Sequence, residues 1–184
     1  MKRAFSPTHL DVRTFAETGT LLEDDEPLSA FARLSQEAAA DPGAARVRWK
    51  AHGLMRQAGI SASLVPWLHL EADSALPLIC QRCLEPMTAA LKVDRWFRFV
   101  ADEATAAAED EQAHEDVLAL SRDFDLRGLV EDELLMEIPV TPRHVRCPRP
   151  LPSSVVDPDF DAAQKEKSQP FSVLENLRAS KNND

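Results

Sequence analysis

Apolar residues recur along this chain with two different periods, and the change of period marks out its elements. Over residues 46–52 the period is two. Arg46, Arg48, Lys50 and His52 point one way and Val47, Trp49 and Ala51 the other, as in a half-buried strand with a cationic outer face. Residues 67–72 and 76–80 predict two further strands, separated by the turn-like pair Asp73-Ser74. Alternation is clearest over residues 91–100. Leu91, Val93, Phe97 and Phe99 share one face, interrupted by Arg95, while Lys92, Asp94, Trp96 and Arg98 share the other. Residues 117–120 predict a short strand.

Elsewhere the period lengthens to that of a helix. Leu28, Phe31, Leu34 and Ala38 fall on one face of a helix predicted over residues 27–40, with Pro27 in the first turn and Asp41-Pro42-Gly43 as its stop. Asp125 can cap a second helix, over residues 126–138, whose stripe is Leu126, Leu129, Val130, Leu134 and Ile138 and which Pro139 and Pro142 end. Strands that follow one another without intervening helices favour an antiparallel sheet with the helices on one face or at its ends, hence an α+β fold. Barrel-like closure of that sheet stays open at this point.

The expected organisation is one α+β domain over residues 1–147, a flexible linker over 148–169 rich in Pro, Ser, Asp and Lys, and a short amphipathic helix over 170–178. That last helix places Phe171, Leu174 and Leu177 three apart. It is too short to stand alone and is expected to dock on the domain or on a partner.

Charge changes the picture more than composition does. The chain of 184 residues carries a formal charge of −10, which opposes general nucleic-acid affinity. The acids are concentrated in Glu23-Asp24-Asp25-Glu26 and in residues 102–116, both of which read as solvated loops or tails. Cations gather instead in the structured segments: Arg46, Arg48, Lys50 and Arg56, then Lys92, Arg95 and Arg98, then Arg143, Arg146 and Arg149. No glycine-rich phosphate cradle occurs, and neither an apolar leader nor a run of eighteen apolar residues is present. A cytoplasmic protein with no membrane contact is the expectation.

Cys80-Gln81-Arg82-Cys83 is answered sixty residues later by His144-Val145-Arg146-Cys147, and these are all the cysteines of the chain. Three thiolates and an imidazole are a complete tetrahedral ligand set for zinc. The alternative is a set of reduced thiols in a packed core. A redox role would need the CxxC at a helix N-terminus within a βαβ unit, and the flanking strands do not suggest one.

Three motifs in order carry a resemblance. Cys80-Gln81-Arg82-Cys83-Leu84-Glu85-Pro86, then Leu129-Val130-Glu131-Asp132-Glu133-Leu134-Leu135 running into Ile138-Pro139-Val140-Thr141-Pro142-Arg143-His144, then Pro170-Phe171-x-x-Leu174-x-x-Leu177 resemble the bacterial large ribosomal RNA subunit accumulation protein (YceD) family. The resemblance spans about residues 45–178 and departs at Gln169, where the family's closing motif has Asn. It implies support of 23S ribosomal RNA accumulation, and hence of large-subunit biogenesis, without an established catalytic activity.

On that footing the expected partner is precursor 23S rRNA or the pre-50S particle. Candidate RNA contacts are Arg46, Arg48, Lys50, Lys92, Trp96 and Arg98, which would form one patch if their two strands were neighbours. The opposing reading is a solvated face neutralised by carboxylates. Glu131, Asp132 and Glu133, with Phe171, Leu174 and Leu177, are the candidate contacts to a basic ribosomal protein or assembly factor, and an acidic adaptor touching no RNA is the competing function. No catalytic residues are expected, since neither a Ser/His/Asp order nor an HExxH run stands out.

Overall fold

The computed structural model describes residues 5–57 and 63–149. They belong to the first of two compact units, Met1–Cys147, apart from Pro148 and Arg149. The linker and terminal helix expected over 148–169 and 170–178, including Phe171, Leu174 and Leu177, otherwise lie outside the described residues.

Five strands form one open sheet in chain order: β1 (Leu21–Pro27), β2 (Arg46–Gln57), β3 (Leu64–Ile79), β4 (Pro86–Val100) and β5 (Asp116–Ala119). The first four pair antiparallel and β5 joins β4 in parallel, so the sheet is mixed rather than wholly antiparallel, and it does not close into a barrel. The parallel step requires a crossover, and α3 (Glu103–Asp110) supplies it. The acidic stretch 102–116, expected as a loop, therefore contains the helix α3, and the short strand expected over 117–120 begins at its last residue, Asp116. Asp102 caps α3 by accepting from Thr105 N at 2.9 Å, and the run Ala106-Ala107-Ala108 favours helix.

The acidic run 23–26 is likewise strand, not loop. Glu23 stands opposite Lys50 and Asp25 opposite Arg48, so cross-strand charge pairing outweighs the low strand propensity of acids. Bonds from Gly53 N to Thr20 O and from Leu28 N to Ala45 O bracket β1. With that register Glu23, Asp25 and Pro27 turn their backbone outward. Asp24 accepts from the Asp25 N–H at 2.8 Å, and Pro27 has no N–H to offer, so the edge is blunted against further pairing.

β3 runs through Asp73-Ser74 without a turn. Both polar side chains find partners across the ladder: Asp73 accepts from Arg48, and Ser74 Oγ donates to the Arg46 carbonyl. The helix expected over 27–40 is shorter, because β1 extends to Pro27, a 3-10 turn covers Leu28–Ala30 and α2 holds only Ala32–Gln36. Leu28, Phe31 and Leu34 are nonetheless buried as the spacing implied.

One sheet face carries the core. Val47, Trp49 and Ala51 of β2, Leu68, Leu70 and Leu76 of β3, and Leu91, Val93, Phe97 and Phe99 of β4 meet α1 (Val12–Glu17), α2 and α4 (Leu126–Met136). Gly53 lies where a Cβ would come within 2.5 Å of the Phe15 ring, so a glycine lets α1 sit against β2. Asp125 caps α4 by accepting from Gly128 N at 2.8 Å. Arg95, the interruption in the β4 pattern, reaches Glu133 and Glu137 of α4 at 3.7 and 3.5 Å. No helix among the described residues is long and apolar enough to cross a membrane.

Candidate metal centre

The β3–β4 connection is short, and its geometry is set by one left-handed residue. β3 ends at Ile79, Cys80 is fully buried, and Leu84 N bonds back to Cys80 O at 2.8 Å while Cys80 N bonds to Glu85 O at 3.0 Å. Closing this knuckle needs a positive φ after Cys83. Leu84 adopts it at 60°, with its side chain 76 % exposed.

After α4, Pro139 and Pro142 hold the chain out of helix and bring it back to this turn. Gln81 N donates to Pro142 O at 2.8 Å, and His144 N donates to Cys80 Sγ at 3.4 Å. The sequence pairs thus meet in space. One ligand atom from each of Cys80, Cys83, His144 and Cys147 lies within 4.8 Å of every other. Tetrahedral zinc–thiolate bonds of about 2.3 Å would set sulfurs about 3.8 Å apart, so only a small contraction separates this arrangement from a closed site.

The electrostatics suit a cation. Burial raises the Cys80 thiol, but backbone N–H groups of His144, Cys83 and Arg82, together with the Cys83 side chain, outweigh it and lower Cys80 to about 5. Cys83 is pushed up to about 11 by burial and by its neighbours Cys147 and Cys80. His144 Nε2 lies 3.1 Å from the Pro86 carbonyl, which can only accept, so the proton belongs on Nε2. That leaves the Nδ1 lone pair facing Cys83 Sγ at 3.3 Å. A second-sphere carbonyl that fixes the tautomer of a histidine is what a metal ligand needs. Arg82 donates to Cys147 Sγ at 3.1 Å and to His144 O at 2.9 Å. Its charge balances the single negative charge that three thiolates and a divalent ion would leave.

The candidate RNA residues share the opposite sheet face from the core, but β3 lies between their two strands. It brings carboxylates with it. Arg48 pairs with Asp73 at 2.6 Å and Lys50 with Glu71 at 2.8 Å, while Arg46 pairs with Asp25 of β1. Arg98 is nearly buried and held by Glu109 of α3 and Glu115. Lys92 lines the same open groove of about 840 Å³, which holds Glu23, Asp24, Asp25, Glu71, Asp73 and Asp94 against Arg48, Lys50 and Lys92. Trp96 is already stacked, with the His69 ring 4.3 Å away at 11° and the Arg56 guanidinium 4.8 Å from its centroid. Sequence reasoning did not include Glu71, His69, Trp67 or Arg56 on this face. The unbroken alternation through Asp73 was the available signal.

The acidic triplet of α4 is occupied within the fold. Glu131 accepts from the N–H groups of Arg33 and Leu34 at 2.7 and 3.0 Å, capping α2 from another helix where Phe31 offers no side-chain cap. Asp132 pairs with the Arg33 side chain, and Glu133 is buried against Arg95. Arg82 is the metal-centre residue that sequence reasoning passed over, although it sits inside the CxxC.

The sequence model of the family described as Large ribosomal RNA subunit accumulation protein YceD matches residues 68–178, a stretch that contains both knuckles. Neither a curated protein nor a solved structure gives a significant match.

Proposed function

Since the chain belongs to the large ribosomal RNA subunit accumulation protein (YceD) family, we propose that it is a non-catalytic factor of large-subunit biogenesis. It sustains 23S rRNA accumulation in the cytoplasm by contacting the precursor RNA, free or on the pre-50S particle. The observation that carries this reading is the family match across β3, β4, α4 and both knuckles.

The Cys80, Cys83, His144 and Cys147 set supports a structural part for the metal. All four positions are protein ligands, and thiolate with imidazole suits zinc, so an ion here would be closed to substrate. When bound, zinc supplies a cross-link between the β3–β4 turn and the segment after α4. The chain's own residues prepare that link: Arg82 steadies Cys147, and the Pro86 carbonyl orients His144.

The groove on the outer sheet face favours a second reading. Six carboxylates against three cations suit a basic ribosomal protein or assembly factor better than an RNA backbone. Both readings predict that loss of the protein lowers 23S rRNA, and they differ in whether the protein touches RNA itself. In cells lacking the protein, the ratio of 23S to 16S rRNA is expected to fall and to return with the intact chain. An unchanged ratio under slow and fast growth alike would remove the biogenesis reading. A fall in the ratio with no RNA contact by purified protein would favour the adaptor.

A further inference from the structure

Among the described residues many cations face carboxylates and several do not, and two of the latter, Arg143 and Arg146, sit together in an acid-free segment at the second knuckle. On the sheet and helices, Arg33, Arg46, Arg48, Lys50, Arg95, Arg98 and Arg127 all face carboxylates. The second knuckle differs. Residues 139–147 contain Arg143 and Arg146 and no acid, and both arginines are exposed without an ion-pair partner among the described residues. Arg82 lies at the same place and remains exposed, but its charge is set against the ligand set, since it donates to Cys147 Sγ and His144 O. Its part is to hold the segment that carries the two free arginines. Between the two free arginines Val145 is 98 % exposed. Glu85 is the carboxylate within the first knuckle, residues 80–86.

We propose that the knuckle surface of Arg143 and Arg146, supported by Arg82, is where this acidic protein meets the phosphate backbone of RNA. This rests on the RNA-contact reading given above and moves the contact away from the sheet face. A protein of net charge −10 is repelled by a polyanion over most of its surface, so an acid-free patch with adjacent unpaired cations is where it approaches most readily. Arginine is suited to that work. Its planar fork grips phosphate oxygens in pairs, and its charge does not depend on pH. The position is also held firmly, because Gln81 N to Pro142 O and His144 N to Cys80 Sγ tie the segment to the β3–β4 turn. A contact restricted to so few cations orients the protein on its particle rather than coating the RNA.

The test uses the full chain with purified pre-50S particles and with a protein-free transcript of 23S rRNA, in a salt titration. Compared are the wild type, Arg143→Gln with Arg146→Gln, the double Lys variant at the same positions, and Lys92→Gln as a sheet-face control. Metal content and melting temperature are measured on each. The glutamine pair is expected to bind both probes about tenfold or more weakly. Its slope of log affinity against log salt should be shallower by about 1.4 to 1.8, the loss of two phosphate contacts. The lysine pair keeps most of the affinity, and Lys92→Gln changes little.

Undiminished binding by the glutamine pair, or a loss confined to Lys92→Gln, overturns the knuckle contact and leaves the RNA reading standing. Failure of the wild type to bind the transcript, with knuckle-dependent binding to particles, assigns the surface to a protein and overturns the proposal. No binding of the wild type to either probe overturns the RNA reading itself.

Discussion

Leu84 shows how much a single residue can constrain. It takes a left-handed conformation, φ 60°, which costs a residue with a side chain about 1 to 2 kcal/mol, and with 76 % of its side chain exposed it gains little packing in return. The knuckle imposes the strain, because Cys80 and Cys83 must both turn toward the second pair. Leu84→Gly is therefore expected to stabilise the fold by about 1 kcal/mol in urea denaturation at unchanged metal content. A destabilisation of similar size would mean that the exposed side chain has a contact worth more than the strain. The Cys/His set itself was legible in the sequence from spacing alone. Arg82 was not, because its role depends on where Cys147 arrives in space.

At the scale of elements, the alternation of β2 and β4 and the stripe of α4 were readable because each buries one face, and burial writes a period into sequence. The acidic stretches were misread for a related reason. Strand and helix at 21–27 and 103–110 are stabilised by partners on other elements or by a local cap, so acids that read as solvated loop include cross-strand counter-ions and the helix-to-strand counter-ion Glu109. Asp73-Ser74 gave the same error, since Arg48 and the Arg46 carbonyl satisfy them.

The packing of α4 on the sheet contains one unfavourable group. Glu133 is 4 % exposed, one of its carboxylate oxygens has no hydrogen-bond partner among the described residues, and burial raises its pKa above the ordinary 4.5 despite Arg95. A carboxyl raised in the folded state contributes its stability fully below the ordinary value. That contribution is lost as pH rises through the folded value. Asp11 and Asp102, lowered by backbone N–H groups from Thr14 and Thr105, act in the opposite sense and lose theirs as pH falls. Comparison with Glu133→Gln isolates the one group. The variant is expected to be more stable than wild type at pH 7, by about 1 kcal/mol, with the difference vanishing in acid. Equal or lower stability of the variant at pH 7 would show that the Arg95 pairing outweighs the burial.

Among the described residues the sheet is an open layer whose polar face carries more carboxylates than cations in its groove and whose core face is covered by α1, α2 and α4. Cations identified from sequence as one RNA-facing patch are mostly neutralised, because β3 inserts between β2 and β4. Strand order is a long-range property that local periodicity does not encode. The Cys80, Cys83, His144 and Cys147 set brings the end of β3, midway along the described residues, next to the segment beyond α4. A metal ion held there would contribute its binding energy directly to folding.

The proposed metal link is the central claim, and elemental analysis tests it most directly. The full chain, expressed and purified without added metal or chelator, is expected to carry close to one zinc per molecule, lost together with a large part of its thermal stability in Cys147→Ser. Protein that is folded, metal-free and as stable as its Cys147→Ser variant would contradict the account.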